Sequence, residues 1–340
     1  MLIFSLFHVF ATPPQQQISP IINGNSATTE DFPSAGAMLM TADLDLFGSS
    51  SFVQTLVCSS TLIAPDVVLL AAHCLDDFAF TFGLGSIDNK EVYWTRQADL
   101  TSWSSPDHSN PLPDDAIRAL DFVIHEDFSM QSLEMGLAEN HDIALIFLEE
   151  PVLSINHAFL PTAEEALSIA TGDEVAVVGW GQQIATGQFE ESPPGSYGIK
   201  MQGFSPISEM ADFEFQVGPD TEDVRKCHGD SGGPSFWDSG DGYRLIGVTS
   251  HAYDESDCFE KGGVDTRVDY YLDWIETEMS ARCEDETRSW CDTPGIVPLG
   301  FYDVEEDDGK MACSSIQISD VSFWFLGLLP LLVATRKKKI

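Results

Sequence analysis

Residues 227–234 read Cys-His-Gly-Asp-Ser-Gly-Gly-Pro, with three glycines around one serine hydroxyl. Glycine weakens a strand and leaves backbone bare, so this segment serves chemistry better than packing. Ser231 in such a setting can attack a carbonyl carbon while the N–H groups of Gly229 and Ser231 hold the oxyanion that forms. Taken alone, the same residues also read as a glycine-rich turn with an exposed serine. A hydroxyl nucleophile needs a base, and the base needs an orienting acid. The run Leu69-Leu70-Ala71-Ala72-His73-Cys74 ends an apolar stretch on a histidine. Cys58 lies sixteen residues before Cys74, and the span between them reads as two short strands around Ala64-Pro65-Asp66. A bridge between these cysteines would staple the hairpin and hold His73 at its edge. In Asn140-His141-Asp142-Ile143-Ala144-Leu145-Ile146 an aspartate opens a run that is apolar on both faces. A carboxylate at the mouth of a buried strand is costly unless paired. An imidazole N–H would satisfy it and fix the tautomer of the ring.

The elements that must position these groups are short. Leu56–Cys58, Val67–Leu70, Ile143–Phe147, Glu174–Val178 and Leu245–Thr249 read as strands separated by Gly, Pro, Asp and Ser clusters. One segment, Val268–Met279, carries Tyr271, Leu272, Ile275 and Met279 at three- and four-residue steps, which predicts a terminal helix.

Taken together, the motifs resemble those of the trypsin-like (chymotrypsin-fold) serine endopeptidases. The pieces are Ile21-Ile22-Asn23-Gly24, Ala71-Ala72-His73-Cys74, Asp142-Ile143-Ala144-Leu145, Gly179-Trp180-Gly181, the Ser231 octapeptide and Gly263-Val264-Asp265-Thr266-Arg267-Val268. They span roughly residues 21–280, and the chain order His, Asp, Ser differs from that of subtilisins and α/β-hydrolases. The resemblance implies an all-β fold of two six-stranded antiparallel β-barrels with a C-terminal α-helix, with the active site in the cleft between the barrels. The barrel boundary is expected near residues 151–161, so that His73 and Asp142 come from the first barrel and Ser231 from the second.

The resemblance also implies roles. His73 is the general base, Asp142 its orienter, and Gly229 and Ser231 form the oxyanion hole. Cleavage before Ile21 frees an ammonium that inserts beside Asp230, since a buried carboxylate needs such a partner. Pro20 stands where trypsin-activated zymogens carry Arg or Lys, so a different protease or an aminopeptidase must produce that end. Arg225, six residues before the nucleophile, is expected at the floor of the primary substrate pocket, followed by Lys226, with Ser250, His251, Gly263 and Asp265 around it. A guanidinium fork suits a carboxylate, which predicts an acidic residue before the scissile bond. The alternative is that Arg225 pairs internally with Asp265, leaving a neutral, small polar pocket. Cys58–Cys74 and Cys227–Cys258 match bridges of the family. Cys283–Cys291 would close a small loop, leaving Cys313 over.

Composition agrees with export. The chain has 340 residues with 16 Lys and Arg against 55 Asp and Glu, a formal net charge of −39. Between Arg118 and Lys200 there is no Lys or Arg. Such a surface argues against nucleic acid and anionic membranes as partners. Seven cysteines indicate an oxidising compartment. No cofactor or metal is expected; the expected partners are a protein or peptide substrate and an activating protease, with the chain a monomer. Residues 1–20 read as a signal peptide and short pro-peptide, and residues 281–312 as an acidic, solvated stalk. Residues 313–340 are apolar with a basic end and resemble bacterial carboxy-terminal sorting or anchor tails, the only expected membrane contact. The catalytic domain is thus expected secreted or at the cell surface. An insertion around Trp94–Pro113, between base and acid, is expected to edge the cleft. The other functional class is a catalytically inactive trypsin-fold binding or regulatory protein, against which the complete triad argues.

Overall fold

After a two-residue strand β1 (Asn25–Ser26), six antiparallel strands close a first barrel. They are β2 (Ala35–Leu46), β3 (Ser49–Ala64), β4 (Val67–Leu70), β5 (Gly85–Thr95), β6 (Ile117–Ile124) and β7 (Ala144–Leu148), in ring order β2-β3-β4-β7-β6-β5. The short helix α1 (Asp77–Thr81) joins β4 to β5 and is capped by the Asp76 carboxylate, which accepts from the Phe78 N–H. The coordinates are a computed structural model and describe residues 21–103, 110–184, 196–255, 258 and 260–291. The expectations for residues 1–20, for the tail 313–340 and for Cys313 lie outside the described residues.

The second barrel follows a linker that contains α2 (Ala163–Ala166), a single turn closed by a Thr162–Glu165 capping box. Its strands are β8 (Glu174–Gly179), β9 (Met201–Met210), β10 (Glu214–Val217), β11 (Pro234–Asp238), β12 (Tyr243–Ala252) and β13 (Gly263–Arg267). They run in the order β9-β10-β13-β12-β11-β8, and pairing of β8 with β9 closes the ring, with β1 added on β9. The fold is therefore two antiparallel six-stranded barrels, as the motifs implied. A 3-10 turn (Val268–Tyr271) leads into the terminal helix α3 (Leu272–Glu284), which buries Ile275 and Met279.

β4 (VVLL) and β7 (ALIFL) are fully buried along their whole length. Uninterrupted aliphatic runs suit strands covered on both faces, where alternation would bury polar groups. These two strands pair antiparallel, Leu69 opposite Leu145 and Leu70 opposite Ala144. That register sets the residues just after β4 beside those just before β7. The Cys58–Cys74 bridge then ties the turn after β4 back to β3.

Two expectations change. Residues 281–291 do not form a free stalk, since their end is anchored: Arg288 and Asp66 form an ion pair with both side chains fully buried, and the Trp290 N–H donates to Asp66 at 2.9 Å, while 284–287 stay exposed. The Ser289 hydroxyl donates to the Leu148 carbonyl, and Cys283 is bridged to Cys291. This segment is docked on the first barrel because Asp66, at the tip of the β3–β4 turn, has a buried carboxylate that needs a cation. The insertion after β5 does not edge the cleft among the described residues. Leu100 N–H donates to the Gly198 carbonyl, Trp180 Nε1 donates to Gln97, and Trp103 is buried. Apolar anchoring pins this insertion beside the segment leading into β9.

Candidate active site

His73 lies on the 3-10 turn after β4 and Asp142 two residues before β7, so the β4–β7 register brings them together. The His73 backbone N–H donates to Asp142 Oδ1 at 2.9 Å, and His73 Nδ1 stands 2.7 Å from Oδ2. Asp142 is fully buried, and its Oδ2 also accepts from the Ser250 hydroxyl at 2.5 Å. Burial raises the Asp142 pKa, but the charge and hydrogen bonds of His73 and the Ser250 bond outweigh it and hold the carboxyl below its ordinary value. Beside an ionised carboxylate Nδ1 carries the proton, which leaves a lone pair on Nε2. Nε2 lies 3.8 Å from Cys74 Sγ, a disulfide sulfur with no proton to give. That lone pair is open to a hydroxyl donor.

Ser231 comes from the second barrel, three residues before β11. The Gly232 N–H donates to the Thr249 carbonyl and the Thr249 N–H to the Gly233 carbonyl, which extends the β11–β12 pairing to the nucleophile loop. Ser59 of β3 clamps the other side. Its N–H donates to the Ser231 carbonyl at 2.8 Å and its hydroxyl to the Gly229 carbonyl at 3.0 Å. His73 and Ser231 line one cleft of about 450 Å³. The Gly229 and Ser231 N–H groups donate no hydrogen bond among the described residues, as an oxyanion hole requires. Gly229 has φ +92°, and a Cβ there would lie 2.6 Å from the Tyr197 ring. Only glycine fits that position.

Asp230 is buried behind this loop. Its oxygens accept from Gly181 N–H at 2.8 Å and Cys227 N–H at 2.9 Å, and it forms no ion pair among the described residues. Desolvation pushes its pKa up to about 6 against the pull of these amides and of Lys226. Ile21 is buried in the apolar cluster of the second barrel. It remains joined to Pro20, so its nitrogen is an amide and offers no charge.

The substrate pocket differs from expectation. Arg225 does not line the cleft. Its Nη1 donates to the Cys258 carbonyl at 3.0 Å, and its backbone pairs with Ile22. Lys226 does line it, but its ammonium is held by both oxygens of Asp265, at 2.8 and 2.7 Å, and by Ser235 Oγ at 2.8 Å. Asp265 therefore pairs with Lys226 and not with Arg225. Adjacent residues of an extended segment point to opposite sides, so only one of the two cations can face the pocket. The neutral-pocket alternative thus arises from the other cation. Ser250, His251 and Gly263 all line the cleft.

Sequence reasoning missed Ser59 and the partners of His251. The His251 Nδ1–H donates to the Ala252 carbonyl at 2.7 Å, while Nε2 sits 3.1 Å from Asn140 Nδ2 and 3.5 Å from Glu214 Oε1. Burial depresses the His251 pKa, but Glu214 and the carbonyl outweigh it and raise it above the usual histidine value. Glu214 is 74 residues from Asn140, so no local pattern links them. Met130, Leu133 and Met135 give the cleft an apolar rim. The close groups of cysteine and histidine, Cys58-His73-Cys74 and Cys227-His228-Cys258, have their sulfurs in disulfides and offer no thiolate to a metal.

Comparison with known proteins agrees with this geometry. The family model described as Trypsin matches residues 21–275. The chain is 28% identical to Brachyurin of Leptuca pugilator over 232 residues, 65% of this chain and 87% of that protein. It is 26% identical to Transmembrane protease serine 11G of Mus musculus, covering 66% of this chain and 50% of that protein. With Melanization protease 1 of Drosophila melanogaster it shares 26% identity over 77% of this chain and 66% of that protein. The chain belongs to the trypsin family and is a serine-type endopeptidase of the chymotrypsin fold.

Proposed function

We propose that Ser231 is the nucleophile of this endopeptidase, with His73 as general base and acid and Asp142 as the group that orients the imidazole and stabilises the imidazolium. His73 Nε2 takes the Ser231 proton as the oxygen attacks the peptide carbonyl. The Gly229 and Ser231 amides receive the oxyanion, and His73 returns the proton to the leaving amine. Water then resolves the acyl-enzyme by the same route. The observation that carries this reading is the buried Asp142 carboxylate, bound by His73 and Ser250 at the cleft that Ser231 lines. A fluorophosphonate probe is expected to label Ser231 in the active enzyme. Ser231→Ala should lose labelling and about 10⁴-fold or more in kcat/KM, with an unchanged melting curve. Labelling or turnover retained in that variant defeats the assignment.

Activation by a new N-terminus at Ile21 is part of the same proposal. An ammonium there would compensate Asp230, whose carboxyl is buried with amide partners alone. An acidic preference requires a cation free in the pocket. With Arg225 turned onto Cys258 and Lys226 held by Asp265, we favour an uncharged, small or polar residue before the scissile bond. Cleavage-site profiling of the matured enzyme should show that class, and predominant cleavage after Asp, Glu, Arg or Lys would contradict it. Three disulfides support an oxidising, extracytoplasmic location. Among the described residues no helix is long and apolar enough to cross a membrane.

A further inference from the structure

We propose that His141 is a positioning residue for Asp142: its ring, gripped by Tyr271, His125 and Phe213, fixes the turn that aims the Asp142 carboxylate at His73. This deepens the endopeptidase reading above and rests on it.

Asp142 stands at the apex of a tight turn. The Ile143 N–H donates to the His141 carbonyl at 2.8 Å, and the His125 N–H donates to the Ile143 carbonyl at 3.1 Å. His141, the first residue of that turn, holds φ +52°. Left-handed backbone is costly for a residue with a Cβ, although His, Asn and Asp adopt it more readily than others. Such a conformation persists only where surrounding contacts over-determine it. On the far side of the turn the Thr266 hydroxyl donates to the Asp142 carbonyl at 3.0 Å. On the near side Asn140 is fixed by Glu134 and Glu214. The chain changes direction between these two anchors, at His141.

The ring of His141 lies in a box built from three parts of the molecule. His125, just after β6, stacks on it at 4.9 Å with the planes 6° apart. Phe213, in the turn between β9 and β10, meets it edge-on at 5.4 Å. Tyr271, in the 3-10 turn before α3, meets it at 6.0 Å with the planes nearly perpendicular. The polar ends are committed as well. Nδ1 is 2.9 Å from the Tyr271 hydroxyl, and Nε2 is 3.4 Å from the Glu139 carboxylate. Burial raises the Tyr271 pKa well above the usual phenol value, so the hydroxyl keeps its proton and donates to Nδ1. Nε2 then carries the imidazole proton and turns it toward Glu139. Burial lowers the His125 pKa, so the stacking partner is a neutral ring. An apolar ring would fill this box equally well, and packing alone asks for neither the hydroxyl contact nor the left-handed backbone. Both make sense if the side chain serves the residue that follows it. The first barrel, the second barrel and the lead into α3 thereby bear on the turn that carries Asp142. A shift of about 1 Å at a reacting group costs about a hundredfold in rate.

The test uses the matured full chain. His141→Ala removes the ring, and kcat is expected to fall about 100-fold with KM within about twofold of wild type. Tyr271→Phe removes one oxygen and should give a smaller loss of the same kind. Added to His141→Ala it should cost nothing further, because the two act as one unit. His141→Asn tolerates the left-handed backbone and keeps a polar acceptor, so it should recover most of kcat. The low-field proton resonance of the His73 Nδ1–H, read well below the melting temperature of each variant, should shift in His141→Ala and return in His141→Asn. Lost packing alone would not move it in that pattern. A kcat for His141→Ala within about threefold of wild type overturns the proposal. So does a low kcat with an unmoved resonance, or an equal loss in His141→Asn. If His141→Ala does not fold, wild-type kcat and resonance in Tyr271→Phe overturn it. If the wild-type enzyme cleaves no peptide and takes no fluorophosphonate, the endopeptidase reading fails, while the His73 resonance still decides whether His141 positions Asp142.

Discussion

Three buried aspartates around the cleft are stabilised in three different ways. Asp142 has an imidazole and a hydroxyl, Asp265 has an ammonium, and Asp230 has two amides. The last is the weakest arrangement for an ionised group, and its pKa is accordingly pushed up to about 6. The consequence for stability has a definite sign. Between the ordinary carboxyl pKa near 4 and about 6, the folded uncleaved chain keeps this proton and the unfolded chain has lost it. This contribution is fully present below pH 4 and is lost as pH rises through 6. Asp230→Asn removes the titration, so the Tm of the uncleaved variant minus that of the wild type should increase from pH 4 to pH 8. A difference that stays constant with pH would show that Asp230 does not titrate in this way. At this scale His73, Asp142, Ser231 and the glycine context were legible as candidates, because each sits in its own short motif. The pairing of Lys226 with Asp265 was not, since 39 residues separate them and only the side of the strand each faces decides the partner.

Among the elements, β4, β7 and the terminal helix were the most legible, since their apolar patterns are dictated by burial on both faces or on one helical stripe. The segment after α3 was not. Its acidic, turn-rich composition reads as solvated, yet Arg288 carries it into the first barrel to meet Asp66. Removing one partner of a buried pair leaves an uncompensated charge, which typically costs about 3–5 kcal/mol. Arg288→Ala is therefore expected to lower Tm markedly. Adding Asp66→Asn to that variant should restore part of the loss. A single variant that melts like wild type would place the tail outside the cooperative unit. The length of β3 also escaped sequence reading. Its outer part has neither strict alternation nor a continuous apolar run, and only its pairing with β2 makes it a strand.

For the whole molecule, charge is the dominant feature. A net charge of −39 repels itself in the compact state and less so in an expanded one. Screening shortens the reach of that repulsion from about 30 Å at 0.01 M salt to about 3 Å at 1 M. Tm should therefore rise with sodium chloride over this range, and a flat or falling Tm would mean that local pairs outweigh the global repulsion. The sequence by itself determined the family, the two-barrel fold and the class of chemistry, because these rest on short motifs whose residues sit within a few positions of one another, and the disulfide partners followed from the family resemblance rather than from any local pattern. Only the tertiary structure decided which cation faces the substrate pocket, what covers Asp66, which segment rims the cleft and how far β3 runs. Each of those depends on which way a side chain or strand edge points once distant segments have paired, and strand register sets that direction over a span no local pattern encodes.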